Sequence, residues 1–169
     1  MIKNLNTKIK EPGKHVLSNE VKLSILELNE ANLPALGSLG TIEKVLELYT
    51  LSSCFYLVFY KDELIAFLVL MDEKSSYQSQ NYRFFKSRLK QFSYIDRVAV
   101  SFEYQRKGIG TYLYNQITDL IKCQRLCCEV NTVPMNITSY NFHLKLGFKV
   151  IEECPFGKKK VAMMIRYSP

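Results

Sequence analysis

The sequence predicts one mixed α/β domain, a single sheet carrying helices on both faces. Two observations predict it. Apolar runs of strand length alternate with helix-period stretches in the order β, α-α, β-β, an irregular excursion, β, α, β, α, β, β. In addition, the strand at residues 94–100 runs into a short basic loop bearing two glycines, and that loop opens an amphipathic helix. At 169 residues the chain is long enough to bury a substantial core.

Residues 1–20 are polar, basic and without period, and read as a flexible N-terminal extension of a domain spanning 21–169. Leu23, Ile25 and Leu26 predict a strand ending near Asn29. Residues 30–51 predict helix, with Leu36, Leu39, Ile42, Val45, Leu46 and Tyr49 apolar, and Pro34, Gly37 and Gly40 divide it into two shorter helices. Residues 54–60 and 64–71 are apolar strands joined by a Lys61-Asp62-Glu63 turn, hence a hairpin. The excursion at 72–91 is rich in Ser, Tyr, Phe and basic residues, and Asn81 is placed to cap a helix carrying Phe84, Phe85 and Leu89.

After the 94–100 strand, residues 110–122 predict a helix whose core face holds Leu113, Ile117, Leu120 and Ile121. A buried strand at 126–130 follows. A short helix at 139–146 ends at Gly147, in the position of a left-handed C-cap. Strands at 148–154 and 159–167 close the chain around a Pro155-Phe156-Gly157 turn.

Composition excludes several classes. No apolar run approaches the roughly 18 residues of a membrane span, and the N-terminus has no apolar core of a secretory signal. Five cysteines, with no CxxC spacing, read as reduced thiols of a cytoplasmic protein rather than a zinc site, so no metal is expected. The net charge of +7 is dispersed, apart from Lys158, Lys159 and Lys160, and no nucleic-acid-binding pattern accompanies it.

The loop Gln105, Arg106, Lys107, Gly108, Ile109, Gly110, Thr111 sets backbone N–H groups at a helix start, where they lack intrahelical partners and carry partial positive charge. An anion such as a pyrophosphate suits that place. A Walker loop is absent, and a GxGxxG fingerprint fails at Leu113. The remaining pattern, Q/R-x-x-G-x-G after a strand, resembles motif A of the GNAT acyltransferases. Residues 127–148, CCEVNTVPMNITSYNFHLKLGF, resemble their motif B, with Asn136, Ser139, Gly147 and Phe148 at matching positions. Together with the element order, the chain is similar to GNAT proteins over 22–167, within a subgroup known only as predicted acetyltransferases.

The resemblance implies a mixed, mostly antiparallel sheet of six to seven strands, splayed in the middle, and acetyl-CoA as cosubstrate. It implies that residues 105–111 hold the pyrophosphate, with Arg106 and Lys107 adding charge, and that Asn136 and Ser139 contact the cofactor. Backbone near Val98, Ala99 and Val100 would line the acyl group and steady its developing negative charge. The family often has tyrosine where this chain has His143, which makes His143 a candidate thiolate stabiliser or acid, or else a packing residue, with Tyr140 as the other candidate acid.

An alkylammonium acceptor costs about 4–5 kcal/mol to deprotonate at pH 7. Asp96, with the side-chain parity of Val98 and Val100, is the candidate base or water relay, or else a partner for Arg97 or a structural hydrogen bond, and Glu129, which could face the cleft, is expected to be structural. The cysteines at 54, 127, 128 and 154 read as buried strand thiols, not nucleophiles. Residues 75–92 are expected to rim the acceptor side, with Tyr77, Tyr82, Phe84, Phe85 and Phe92 as an aromatic wall or as packing, and Arg83, Arg88 and Lys90 as an anion clamp or as solvated cations. Acceptors considered are a small amine, an amino acid or a protein amine; a non-catalytic acyl-CoA-binding module is the other reading. A homodimer is compatible with the family.

Overall fold

The computed structural model describes residues 2, 4–121 and 125–167; the predicted helix end at Lys122 lies outside them, as does the side chain of Leu120. Seven strands form one sheet in the order β1-β2-β3-β4-β5-β7-β6. These are β1 (Asn6–Lys10), β2 (Cys54–Tyr60), β3 (Glu63–Asp72), β4 (Ser93–Val100), β5 (Arg125–Val133), β6 (Lys149–Phe156) and β7 (Lys159–Tyr167). Every neighbouring pair is antiparallel except β4 with β5. Helices α1 (Asn19–Glu30), α2 (Ile42–Leu51) and α3 (Gln80–Lys86) pack on one face, and α4 (Ile109–Leu120) and α5 (Ile137–Lys145) on the other.

The central strands β2 and β3 are apolar throughout because both of their faces are covered. Phe55 and Leu57 of β2 and Phe67, Val69 and Met71 of β3 face the first three helices. Tyr56, Val58, Ile65, Leu68 and Leu70 face α4 and α5. The order of elements matches the one the sequence predicts, but the first strand is elsewhere. Residues 23–29 are helical, not extended: Ile25 and Leu28 are buried with Val21 packed beside them, whereas Leu23 is 45% exposed. The spacing Val21, Ile25, Leu28 is helical, and Ser18 caps it by accepting from the Val21 N–H.

The sheet's first strand comes instead from within the N-terminal segment, where Asn6–Lys10 pairs with β2. The helical region at 30–51 keeps one helix only, α2, because Thr41 caps it and residues 31–41 form a connecting loop. Ser79, rather than Asn81, caps α3. At the far end Gly147 follows α5 with φ +86, the left-handed conformation its position predicts.

Candidate active site

β4 and β5 pair only at Ser93↔Leu126 and Tyr94↔Cys127; beyond that point they part, β4 running on to Val100 and β5 to Val133. Two parallel strands separating in mid-sheet leave unpaired backbone groups along their facing edges, and such groups call for a partner. Val98, Ala99 and Val100 lie on the separated part of β4, bonded to β3 on their other side.

The loop after β4 meets this opening. A single 3₁₀ turn, Phe102–Tyr104, leads to Gln105, whose side-chain amide donates to the Val100 carbonyl at 3.2 Å and ties the loop to the strand. Arg106 and Gly108 both have positive φ, 58° and 84°. Left-handed residues in such a turn curl the backbone N–H groups towards one point, an anion-binding concavity. The first hydrogen bond of α4 runs from the Tyr112 N–H to the Gly108 carbonyl, so the N–H groups of Ile109, Gly110 and Thr111 precede it. The other four helices are each capped by a Ser, Thr or Asn side chain, whereas the cap of α4 is glycine and supplies none.

An open cleft of about 580 Å³ lies here, lined by Ile2, Arg106, Lys107 and Gly108. The two glycines serve different ends. Nothing lies within 4 Å of a Cβ built on Gly108, so its need is the positive φ and the free approach. A Cβ on Gly110 would come within 3.0 Å of the Phe142 ring, so Gly110 lets α4 close onto α5.

Helix α5 flanks the same side. Asn136 caps it, its Oδ1 accepting from the Ser139 N–H at 3.1 Å, so that oxygen is already engaged. His143 is 3% exposed. Its Nδ1 lies 2.8 Å from the Ser139 carbonyl, which only accepts, so Nδ1 carries the proton. Nε2 therefore accepts from the Tyr114 hydroxyl at 2.6 Å. Burial, above all, lowers the pKa of the ring and keeps it neutral. With both nitrogens taken, His143 has no free proton to give. Tyr140, one turn earlier, is half-buried, and its hydroxyl makes no hydrogen bond to a described residue.

On the opposite face two carboxyls flank the point of separation. In β4, Val69 pairs with Arg97 and Leu70 with Ile95, which leaves Asp96 as a β-bulge. The bulge breaks the side-chain alternation the sequence predicts. Val98 and Val100 pack towards α4 and α5, whereas Asp96 binds Arg97, Nε to Oδ2 at 2.8 Å, on the α1 side. On β5, Glu129 accepts from the Tyr94 hydroxyl at 2.6 Å. Burial raises the Glu129 carboxyl to about 7, the Tyr94 and Asn81 hydrogen bonds oppose that rise, and the Asp96 charge adds to it. The sequence predicts a structural role for this residue, and its one signal is a charged side chain within the apolar run at 126–130.

The excursion is mostly core. Tyr82, Phe85 and Phe92 are fully buried and pack with Tyr94. Arg88 lies 3.7 Å over the Phe84 ring and pairs with Glu152 at 3.6 Å. Tyr77 alone of the five aromatics reaches the carboxyls; burial and then the neighbouring Asp96 charge push its phenol upwards. Burial likewise raises the thiols of Cys54, to about 12, and Cys128, away from the nucleophilic form. No group of three or more metal-ligating side chains occurs among the described residues, and none of their helices is long and apolar enough to cross a membrane.

The family model described as Acetyltransferase (GNAT) family matches residues 24–148. The chain belongs to the GNAT acetyltransferases. It is thus an acyltransferase of the acetyl-CoA-dependent kind, and the splayed strands and uncapped loop are the features of its fold that suit that cosubstrate. Solved structures agree on the fold. Ard1 from Thermoplasma volcanium superposes with a TM-score of 0.72 at 18% identity, covering 96% of this chain and 98% of that one. The ribosomal-protein-S18-alanine N-acetyltransferase from Escherichia coli gives 0.67 at 13%, covering 96% and 94%. Arabidopsis thaliana NAA60, solved in complex with acetyl-CoA, gives 0.68 at 11%, covering 96% and 98%. No curated protein matches this chain significantly by sequence.

Proposed function

We propose that this GNAT enzyme acetylates a primary amine of a small metabolite or amino acid, with Glu129 as general base and Tyr140 as the proton donor to the departing thiol. The observation that carries the reading is the half-buried Glu129 carboxyl, held by the Tyr94 hydroxyl and raised to about 7, at the point where β4 and β5 part. The uncapped N–H groups of residues 109–111, with Arg106 and Lys107, would hold the pyrophosphate, and the free edge of β4 at residues 98–100 would face the acyl arm. When bound, acetyl-CoA supplies an acyl group activated as a thioester.

The protein's own part is proton handling and exclusion of water. A carboxyl near 7 is about half ionised at neutral pH. Its distance in pKa from an ammonium is about 3 kcal/mol smaller than that of a carboxyl at 4.5. Asp96 is already paired with Arg97, and its charge acts by raising its neighbour. On the other face His143 holds Tyr114 and the turn of α5 from which Tyr140 projects, and itself transfers nothing. Asn136 and Ser139 support the cofactor side by building that helix start.

The small acceptor is favoured by the segment between β3 and β4, which folds inwards. The Tyr82 hydroxyl donates to the carbonyls of Asp72 and Ser75, and Tyr77 reaches Asp96, which narrows the acceptor side. A peptide amine is the second reading, favoured by neighbours such as the NatC complex bound to Gag peptide and CoA, at 16% identity. Thiol release from acetyl-CoA across amino acids, polyamines and tripeptides separates them. Turnover with free amines and none with peptides supports the first; the reverse result overturns it.

A further inference from the structure

Arg97 is a largely covered cation to which the mechanism above assigns no step of its own. Its side chain is 11% exposed, and that of its partner Asp96 is 5%. In a regular strand, residues 96 and 97 would project to opposite faces. The bulge at Asp96 brings both to the α1 side, and the guanidinium there spans three groups. Nε donates to Asp96 at 2.8 Å, and Nη1 to the Asn29 side-chain oxygen at 2.7 Å and to the Gly37 carbonyl at 3.2 Å.

Asn29 is fully buried at the end of α1, and its Nδ2 donates to the same Gly37 carbonyl at 3.1 Å and to Glu30 at 3.0 Å. Glu30 then accepts from the Ser38 hydroxyl and from the Leu39 and Gly40 N–H groups, at 2.8, 2.8 and 3.3 Å. The Ser38 hydrogen bond, followed by that of Leu39, holds its carboxyl down at about 2, so it stays ionised. The result is one continuous polar chain from the bulge at Asp96, through Arg97 and Asn29, into the loop that joins α1 to α2.

We propose that Arg97 is a positioning residue that locks the α1–α2 loop to the β4 bulge, so that the acceptor side of the cleft is closed to bulk water before the amine arrives. The role needs both the charge and the fork of a guanidinium. A lysine keeps the first but cannot bridge Asp96, Asn29 and Gly37 together. The lock rests on the proposed reaction site only in what it is for; the tether itself is independent of catalysis.

Arg97→Lys and Arg97→Met test it, with two readouts beside CoA affinity by calorimetry. Amide hydrogen exchange is expected to rise at least about tenfold at Leu39 and Gly40 in both variants, with core amides of β2 and β3 unchanged. Thiol release from acetyl-CoA with water as the only acceptor is expected to rise several-fold, with CoA affinity within about twofold of wild type. Unchanged exchange at Leu39 and Gly40 overturns the lock. A rise spread evenly through β2 and β3 also overturns it, because Arg97 would then merely hold the fold together. Full protection of the loop by lysine would show that charge alone suffices and would refute the bridging role. Unchanged water-dependent release despite a loosened loop refutes the gating role. A wild-type protein that binds no CoA would defeat the proposed function instead, while the exchange result would still decide the tether.

Discussion

Glu129 carries opposite consequences for activity and stability. Glu129→Gln keeps an oxygen for the Tyr94 hydroxyl and loses the base, so turnover is expected to fall about 10²–10⁴-fold. With Glu129 as the proposed base, wild-type kcat/KM is expected to rise with pH through about 7, and that limb is expected to vanish in the variant, as steady-state rates from pH 5.5 to 9 would register. The stability change has the reverse sign. The folded pKa lies above the unfolded value, so the native state binds the proton more tightly, and stability present below about 4.5 is lost as pH rises through about 7. Glu129→Gln is therefore expected to melt at a higher temperature than wild type above pH 7, by an amount worth at most about 3 kcal/mol.

The two candidates on α5 separate in the same residue-by-residue way. Tyr140→Phe is expected to lower turnover at least about tenfold with unchanged CoA affinity. His143→Phe leaves the buried Tyr114 hydroxyl without its acceptor and is expected to cost about 1–3 kcal/mol of stability in thermal or urea unfolding. Wild-type stability in His143→Phe, with a Tyr140→Phe-like loss of turnover, would return the acid role to the histidine.

Among the elements, the turn into α4 has the sharpest requirement. Gly108 holds φ +84 with nothing within 4 Å of its Cβ position, so an aspartate side chain there meets no steric block from the protein. Its cost is about 1–2 kcal/mol of left-handed strain, plus a carboxylate where a phosphate belongs. CoA binding by calorimetry is expected to disappear while the circular dichroism spectrum stays native. Retained affinity would remove the phosphate role of this loop. At the sheet's edge, β1 protects β2, whose seven residues CFYLVFY are almost all apolar. Deleting residues 1–12 opens that edge and is expected to give concentration-dependent aggregation by light scattering, as bare apolar edges do.

Across the whole molecule, the charge of +7 suits a polyanionic cosubstrate, and CoA affinity is expected to weaken several-fold between about 50 and 300 mM salt. Strands 54–60 and 64–71, the strand into the glycine loop, the C-capping Gly147 and the family itself were legible because each is written in local spacing. The first strand was misplaced because Leu23 and Ile25 alternate over a span too short to distinguish from one helical turn. Gly108 and Gly110 read alike in sequence, yet one meets a backbone demand and the other the ring of Phe142.

From residue 54 onward the order of elements, together with the two-sided burial of the central strands and the loop that suits a phosphate, was written locally, since propensity and periodicity act over a few residues. The surroundings of the candidate proton-transfer groups depended on tertiary contacts. A single bulged residue turned Asp96 to the side of Arg97, a contact 29 residues away engaged Nε2 of His143 while the Ser139 carbonyl one turn earlier engaged Nδ1, and burial by distant elements raised Glu129. Desolvation and hydrogen-bond saturation depend on what the rest of the chain brings near a side chain, and no spacing of neighbours in sequence encodes that.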